Sequence, residues 1–265
     1  NHGRGVSINL TSDEQVIVAF KEAQSQSTNR ATIVENYVTG LDHRMLVVNG
    51  ELVAVSKRVP GHVVGDGTST IEELVEIVNS DPRRGIGHEK VLTRLKFDEQ
   101  AERLLSEAEK NHETVLAKDE IFYLCAAGNL SMGGTAIDMT DVVHPDNREM
   151  AVRAIKSIGL DVGGVDFLTD DITQSYKDIG GAIVEVNAAP GFRMHVAPSE
   201  GKPRDVAAAV MDMLFPPGTP SQIPIAGITG TNGKTTTSYI LEALFRAEGI
   251  GVIGTIDYHY DGKKF

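Results

Sequence analysis

The chain has 265 residues, 41% of them hydrophobic and 23% charged, and a formal net charge of −12. That balance gives a globular chain enough apolar material for one large core or two modest ones, and it argues against a general polyanion partner such as nucleic acid. Cys125 is the only cysteine, which excludes an intrachain disulfide and fits a reducing, cytoplasmic setting, and no run of about 18 apolar residues marks a membrane partner.

The opening decapeptide NHGRGVSINL reads as a glycine loop running into a strand, with Asn1 where a complete protein would start with methionine. A fragment of a longer protein is therefore expected. Thr11 and Ser12 then introduce acidic residues and the apolar positions Val16, Ile17, Ala19 and Phe20, a capped helix over 11–24. ATIVENYV, residues 31–38, reads as a strand. MLVVNGELVAV is two β-branched runs around Asn49-Gly50, a strong hairpin signal. After the glycine-rich loop PGHVVGDGTST, Thr70 caps a helix IEELVEIVNS that stops before Asp81-Pro82. Helical spacing follows over 97–113, strand-like character over 114–127, and another helix over 146–159 that ends at Gly159.

VGGVDFLTD and GAIVEVNAAPG are short apolar strands, and PRDVAAAVMDMLF is a helix that Pro216 and Pro217 terminate. PPGTPSQIP, residues 216–224, has the composition of an interdomain linker. Beyond it come a strand IPIAGITG, a loop TNGK, an amphipathic helix TTTSYILEALFRAEG and a second strand IGVIGTI. The expected architecture is α/β, with one domain over 1–215, a linker over 216–224, and the start of a parallel-sheet nucleotide domain over 225–265.

A glycine loop between a strand and a helix leaves backbone N–H groups unpaired at the positive end of the helix dipole, which suits phosphate. Gly230 and Gly233 allow close main-chain approach, Thr231 and Asn232 lie between them, Lys234 reaches terminal phosphates, and the hydroxyl of Thr235 or Thr236 meets a bridging magnesium ion. The spacing departs from the general GxxxxGK[ST] pattern, because Ile228 stands five before Gly233 and Gly227 one further back. The string TGTNGKTT instead resembles the ATP loop of the Mur ligase family, which joins amino acids to carboxylates through acyl phosphates.

In the preceding region Asp166 ends the strand VGGVDF, and Glu185 and Asn187 stand two apart in IVEVN, on one face of the next strand. Two carboxylates and an amide oxygen are hard ligands suited to Mg²⁺ held against nucleotide phosphates. An acid flanked by Val184 and Val186 is expected to be costly unless a cation pairs with it.

Residues 1 to about 212 resemble the ATP-grasp superfamily. The resemblance implies that His2, Gly3, Arg4 and Gly5 of NHGRGV belong to the loop that closes over the ATP phosphates, and that Glu35 and Val38 of ENYV hold the adenine and ribose. It further implies that Arg44 contacts phosphate or substrate, that Asp166, Glu185 and Asn187 bind magnesium, and that Asn129 of NLSMGGTA lies near the phosphates. Arg193 of NAAPGFRMH would be the catalytic arginine, beside the reacting carboxyl.

Lysines that ATP-grasp enzymes draw from strands before the glycine loop fall outside this sequence, so the fragment alone is expected to be inactive in that half. An ATP-grasp unit followed by a Mur-type loop resembles ligases with two ATP-dependent amide-forming sites. The strings ENYVTGLDHRMLVV, VPGHVVGDG and EVNAAPGFRMH resemble those that extend a primer chain, adding aspartate to its backbone and arginine to each β-carboxyl. A homo-oligomer is the expected assembly. The alternatives are a bifunctional ligase of the glutathione-synthetase kind and a nucleotide-binding module without turnover.

Overall fold

Ser12 and Gln15 box the start of the first helix. Ser12 Oγ accepts from the Gln15 amide at 3.3 Å, and Gln15 Oε1 accepts from the amides of Thr11 and Ser12. Helix α1 (Asp13–Gln26) follows, with none of its residues buried. This computed structural model describes residues 7, 10–26, 31–87, 89–126, 128–220, 222, 224–245, 249–256, 258–261 and 263–264. The chain divides into two units, Asn1–Pro216 and Pro217–Phe265. Among the described residues no helix is long and apolar enough to cross a membrane.

In the first unit the hairpin forms as its sequence requires. Asn49 and Gly50 take φ of 49° and 78° between β1 (Leu41–Val48) and β2 (Glu51–Val59), the left-handed pair that a tight two-residue turn needs. The chain continues through β3 (His62–Val64), α2 (Ile71–Asn79), β4 (Arg84–Gly85), β5 (Leu92–Thr93), α3 (Glu99–Glu107) and β6 (Ile121–Tyr123). Then come β7 (Thr135–Asp138), α4 (Pro145–Ile158), β8 (Val162–Thr169), α5 (Tyr176–Ile179), β9 (Ala182–Asn187), α6 (Arg193–Val196) and α7 (Val206–Leu214). Thr70 and Glu73 form a reciprocal capping box on α2, and Gly159 closes α4 with φ of 76°.

Five strands make one antiparallel sheet in the order β7-β2-β1-β8-β9. Alternation along β1 sorts its residues to two faces. Met45 and Val47 join Val55, Val165 and Phe167 in a core that Ala151 and Ile155 of α4 seal. Leu46 and Val48, on the opposite face, pack with Ala54 and with Val206 of α7. Asp42 and Arg44 share that second face but lie beyond α7's cluster. One face of the sheet is therefore core over the middle of β1, β2 and β8, and the other changes from apolar to charged halfway along β1. A separate cluster, including Ile71, Leu74, Leu105, Leu116 and Phe122, holds α2 and α3 against β3 and β6.

In the second unit α8 (Lys234–Phe245) accompanies β10 (Gly251–Ile253), β11 (Tyr258–Tyr260) and β12 (Lys263–Lys264). Glu242 Oε1 and His259 Nε2 meet at 2.8 Å and tie α8 to β11, both side chains being buried. Three expectations need correcting. Residues 31–38 and 224–229 carry no strand, and 114–127 yields only the three residues of β6. A β-branched segment hydrogen-bonds to nothing by itself, and no described strand lies alongside either of the first two. Ile33 is accordingly 83% exposed and Ile225 91%. Strand β10 pairs antiparallel with β11.

Candidate active site

A row of polar side chains crosses the open end of the sheet, one from each strand. Cross-strand register places Asp138 opposite Ser56, Ser56 opposite Arg44, Arg44 opposite Asp166, and Asp166 opposite Glu185. Residues directly opposite in an antiparallel ladder share a face, so the five form one line. Asn187 faces Gly164 one step along the same face. Gly164 is small for a reason: a Cβ there would come within 2.8 Å of Pro190 Cβ and 3.0 Å of Arg44 Cδ. A side chain would push Arg44 off its course.

Asp166 lies in the middle of β8 rather than at its end. Arg44 grips both of its oxygens, through Nε to Oδ1 and through Nη2 to Oδ2 at 3.2 Å. Arg58, which the sequence reading did not single out, comes to Asp166 Oδ2 at 3.0 Å and to Asp42 Oδ1 at 2.6 Å. Burial alone would lower the Arg58 guanidinium, but its hydrogen bond to Asp42 and the charges of Asp42 and Asp166 together raise it. Removing one member of such a shielded group leaves a charge without its partner.

Glu185 is exposed, contrary to the expectation of a costly buried acid, and it retains its hydration. A bulge between Asp166 and Phe167 of the β8–β9 ladder leaves Val184 unpaired and 61% exposed. Asn187 is half-buried, with Nδ2 shielded from solvent and lacking a hydrogen-bond partner. An amide turns end for end at little cost, so the site at its tip suits a group that its oxygen can meet. Among the described residues no three His, Cys, Asp or Glu side chains cluster as metal ligands. The oxygens that could hold a hard divalent cation are those of Asp166, Glu185 and Asn187, on adjacent strands and one face.

The remaining expected residues fall in several places. Glu35 is exposed and Val38 half-buried in the strandless stretch 31–38. Asn129 caps a short turn at Leu130–Met132, accepting from Ser131 N at 3.0 Å and Ser131 Oγ at 2.8 Å. Its loop lies against Arg58, since a Cβ on Gly128 would come within 2.6 Å of Arg58 Cβ. Arg193 begins α6 and its Nη1 donates to the Lys90 carbonyl at 3.5 Å. His2, Gly3, Arg4 and Gly5 lie outside the described residues.

His195, two residues beyond Arg193, packs over the row. Its Nδ1 lies 2.9 Å from Ser56 Oγ, and its shielded Nε2 has no partner. Desolvation, with a smaller push from Arg44, lowers its pKa from 6.5 to about 4. The ring therefore stays neutral in the folded protein while the unfolded chain protonates it near pH 6.5. Its contribution to stability is full above that value and declines as pH falls toward 4, by about 3 kcal/mol. Urea unfolding at pH 7 and pH 4.5 should show a larger acid loss in the parent than in His195→Gln, and equal losses would refute the buried neutral ring.

In the second unit Gly230, Thr231, Asn232 and Gly233 form an exposed loop leading into α8, with φ of 131° and 82° at the glycines. Lys234 Nζ folds back onto that loop, donating to Gly230 O at 2.5 Å and Thr231 O at 3.3 Å. A cavity of about 110 Å³ adjoins the loop and is lined by Lys234, Thr235, Ser238 and Tyr239 among others. Of the two candidate hydroxyls, Thr235 lines this cavity, whereas Thr236 is exposed and does not.

An antiparallel sheet with a charged face, followed in the chain by a glycine loop at a helix start, is the layout of a class of nucleotide-dependent ligase folds. The chain has the ATP-grasp fold: it matches the crystal structure of a bifunctional glutathione synthetase from Pasteurella multocida with a TM-score of 0.62 and 33% identity, over 82% of this chain and 29% of that one. Residues 228–264 match the Mur ligase middle domain. The chain is homologous over nearly its whole length to cyanophycin synthetases. It is 54% identical to the cyanophycin synthetase of Synechocystis sp. over 249 residues, which is 94% of this chain. The glutathione biosynthesis bifunctional protein of Clostridium perfringens is 34% identical over 81% of the chain. The chain spans about 28% of the length of both curated relatives.

Proposed function

We propose that this chain is the central part of a ligase that builds cyanophycin, a poly-aspartate backbone bearing arginine on its β-carboxyls. The observation that carries the reading is the line Arg44–Asp166–Glu185 with Asn187 beside it, in a chain 54% identical to a cyanophycin synthetase. The first unit adds aspartate to the end of a primer chain, and the second adds arginine. The need for ATP and a single cysteine, which allows no intrachain disulfide, accord with the cytoplasm.

Amines do not attack carboxylates readily, because resonance and negative charge oppose them. In the proposed reaction a carboxylate oxygen of the acceptor attacks the γ-phosphorus of ATP and ADP departs, leaving an acyl phosphate. The amine of the incoming amino acid then attacks the acyl carbon and inorganic phosphate departs. Magnesium, when bound, offsets the charge that builds between the phosphates and the attacking carboxylate. Asp166, Glu185 and Asn187 would hold it. Arg44 orients Asp166 and presents a cation to phosphate, while Arg193 stabilises the oxyanion formed at the acyl carbon. Lys234 withdraws from the Gly230 and Thr231 carbonyls to meet the phosphates at the second site.

Protein made at the full length of its relatives tests this. With ATP, Mg²⁺ and a cyanophycin primer, ADP release should require aspartate and arginine. ADP release with γ-glutamylcysteine and glycine instead would favour a glutathione-type ligase. Nucleotide binding without any primer-dependent turnover would identify a binding module.

A further inference from the structure

Arg58 occupies a place where the metal reading leaves no obvious need for another cation. Its Nη2 bridges two carboxylates, Asp42 Oδ1 at 2.6 Å and Asp166 Oδ2 at 3.0 Å, while Arg44 holds Asp166 from the other side. Two carboxylates and two guanidiniums make a formally neutral group, and their side chains are between 10% and 25% exposed. Asp42 stands directly opposite Arg58 across the hairpin, and Asp166 lies one strand further on. Gly128 presses against the Arg58 stem, so the guanidinium end is the part free to shift.

We propose that Arg58 is a built-in counterion for Asp166: it neutralises that carboxylate until metal and nucleotide arrive together, then withdraws onto Asp42. The proposal rests on the reading of Asp166, Glu185 and Asn187 as metal ligands. A bare divalent cation would add two positive charges to a group that two guanidiniums already balance, and the single charge of Glu185 offsets only half of them. A triphosphate brings several negative charges and reverses that balance. Metal alone is held off, and metal with nucleotide is admitted, so the two bindings are coupled.

Mn²⁺ binding to the full-length protein, followed by the electron paramagnetic resonance signal of free Mn²⁺, tests this with and without a non-hydrolysable ATP analogue. Without nucleotide, Arg58→Met should bind one Mn²⁺ at least about tenfold more tightly than the parent, and adding Asp166→Asn should remove that gain. A folded Arg58→Met protein with no Asp166-dependent gain overturns the proposal. Asp42→Asn gives an independent measure, because loss of the retreat should weaken Mn²⁺ binding with the analogue by about tenfold. Unchanged binding in that folded variant also overturns it. If Asp166→Asn in the parent leaves binding of Mn²⁺ with the analogue unchanged, the metal reading itself fails.

Discussion

Glu185→Gln should abolish aspartate addition, by about 10²-fold or more, while arginine transfer onto a preformed poly-aspartate chain survives. The substitution keeps size and hydrogen-bonding atoms and removes the charge. Glu185 is exposed, and among the described residues nothing hydrogen-bonds or ion-pairs with its carboxylate, so its loss should change stability by less than about 0.5 kcal/mol. Activity and folding therefore separate cleanly at this residue. The assay supplies ATP and primer with aspartate alone, then a poly-aspartate acceptor with arginine alone, and follows incorporation of each amino acid. If both activities fall together in a folded variant, the division of labour between two sites is wrong.

Lys234→Ala should give the mirror result, with arginine transfer reduced by about 10²–10³-fold and aspartate addition retained. Among the described residues its ammonium bonds only to two carbonyls of its own exposed loop, Gly230 and Thr231, so little stability is lost with it. A phosphate that enters the loop must draw the ammonium away from those carbonyls, and alanine leaves nothing to draw. Radiolabelled arginine incorporation, beside a melting curve, checks this. Retained arginine transfer would mean that the loop does not serve that reaction.

Much of the fold was legible from local chemistry. The Asn49-Gly50 turn, the Thr70 cap and the Gly159 stop each concern a few neighbouring residues, and each formed. The two expected strands at 31–38 and 224–229 did not form, because a strand depends on a neighbour that composition does not reveal. The facing of Glu185 and Asn187 followed from their spacing of two, yet their environment did not, since the bulge at Val184 turned its neighbours outward.

Arg58 was illegible for a more specific reason. Counting outward from a two-residue turn pairs Val47 with Leu52 and would pair Asp42 with Lys57. A bulge between Leu46 and Val47 inserts Val53, so that Asp42 meets Arg58 and Arg44 meets Ser56. His195 was also invisible, because its partner Ser56 lies 139 residues away in sequence.

That single unpaired valine sets the phase of everything beyond it. Were Val53 drawn into the ladder opposite Leu46, the outer half of β2 would slip by one residue, turning Ser56 and Arg58 toward the oily layer under α4 and lifting Val55 and Lys57 into their places. A slip of one residue here would dismantle the constellation while leaving every chemical group in the protein.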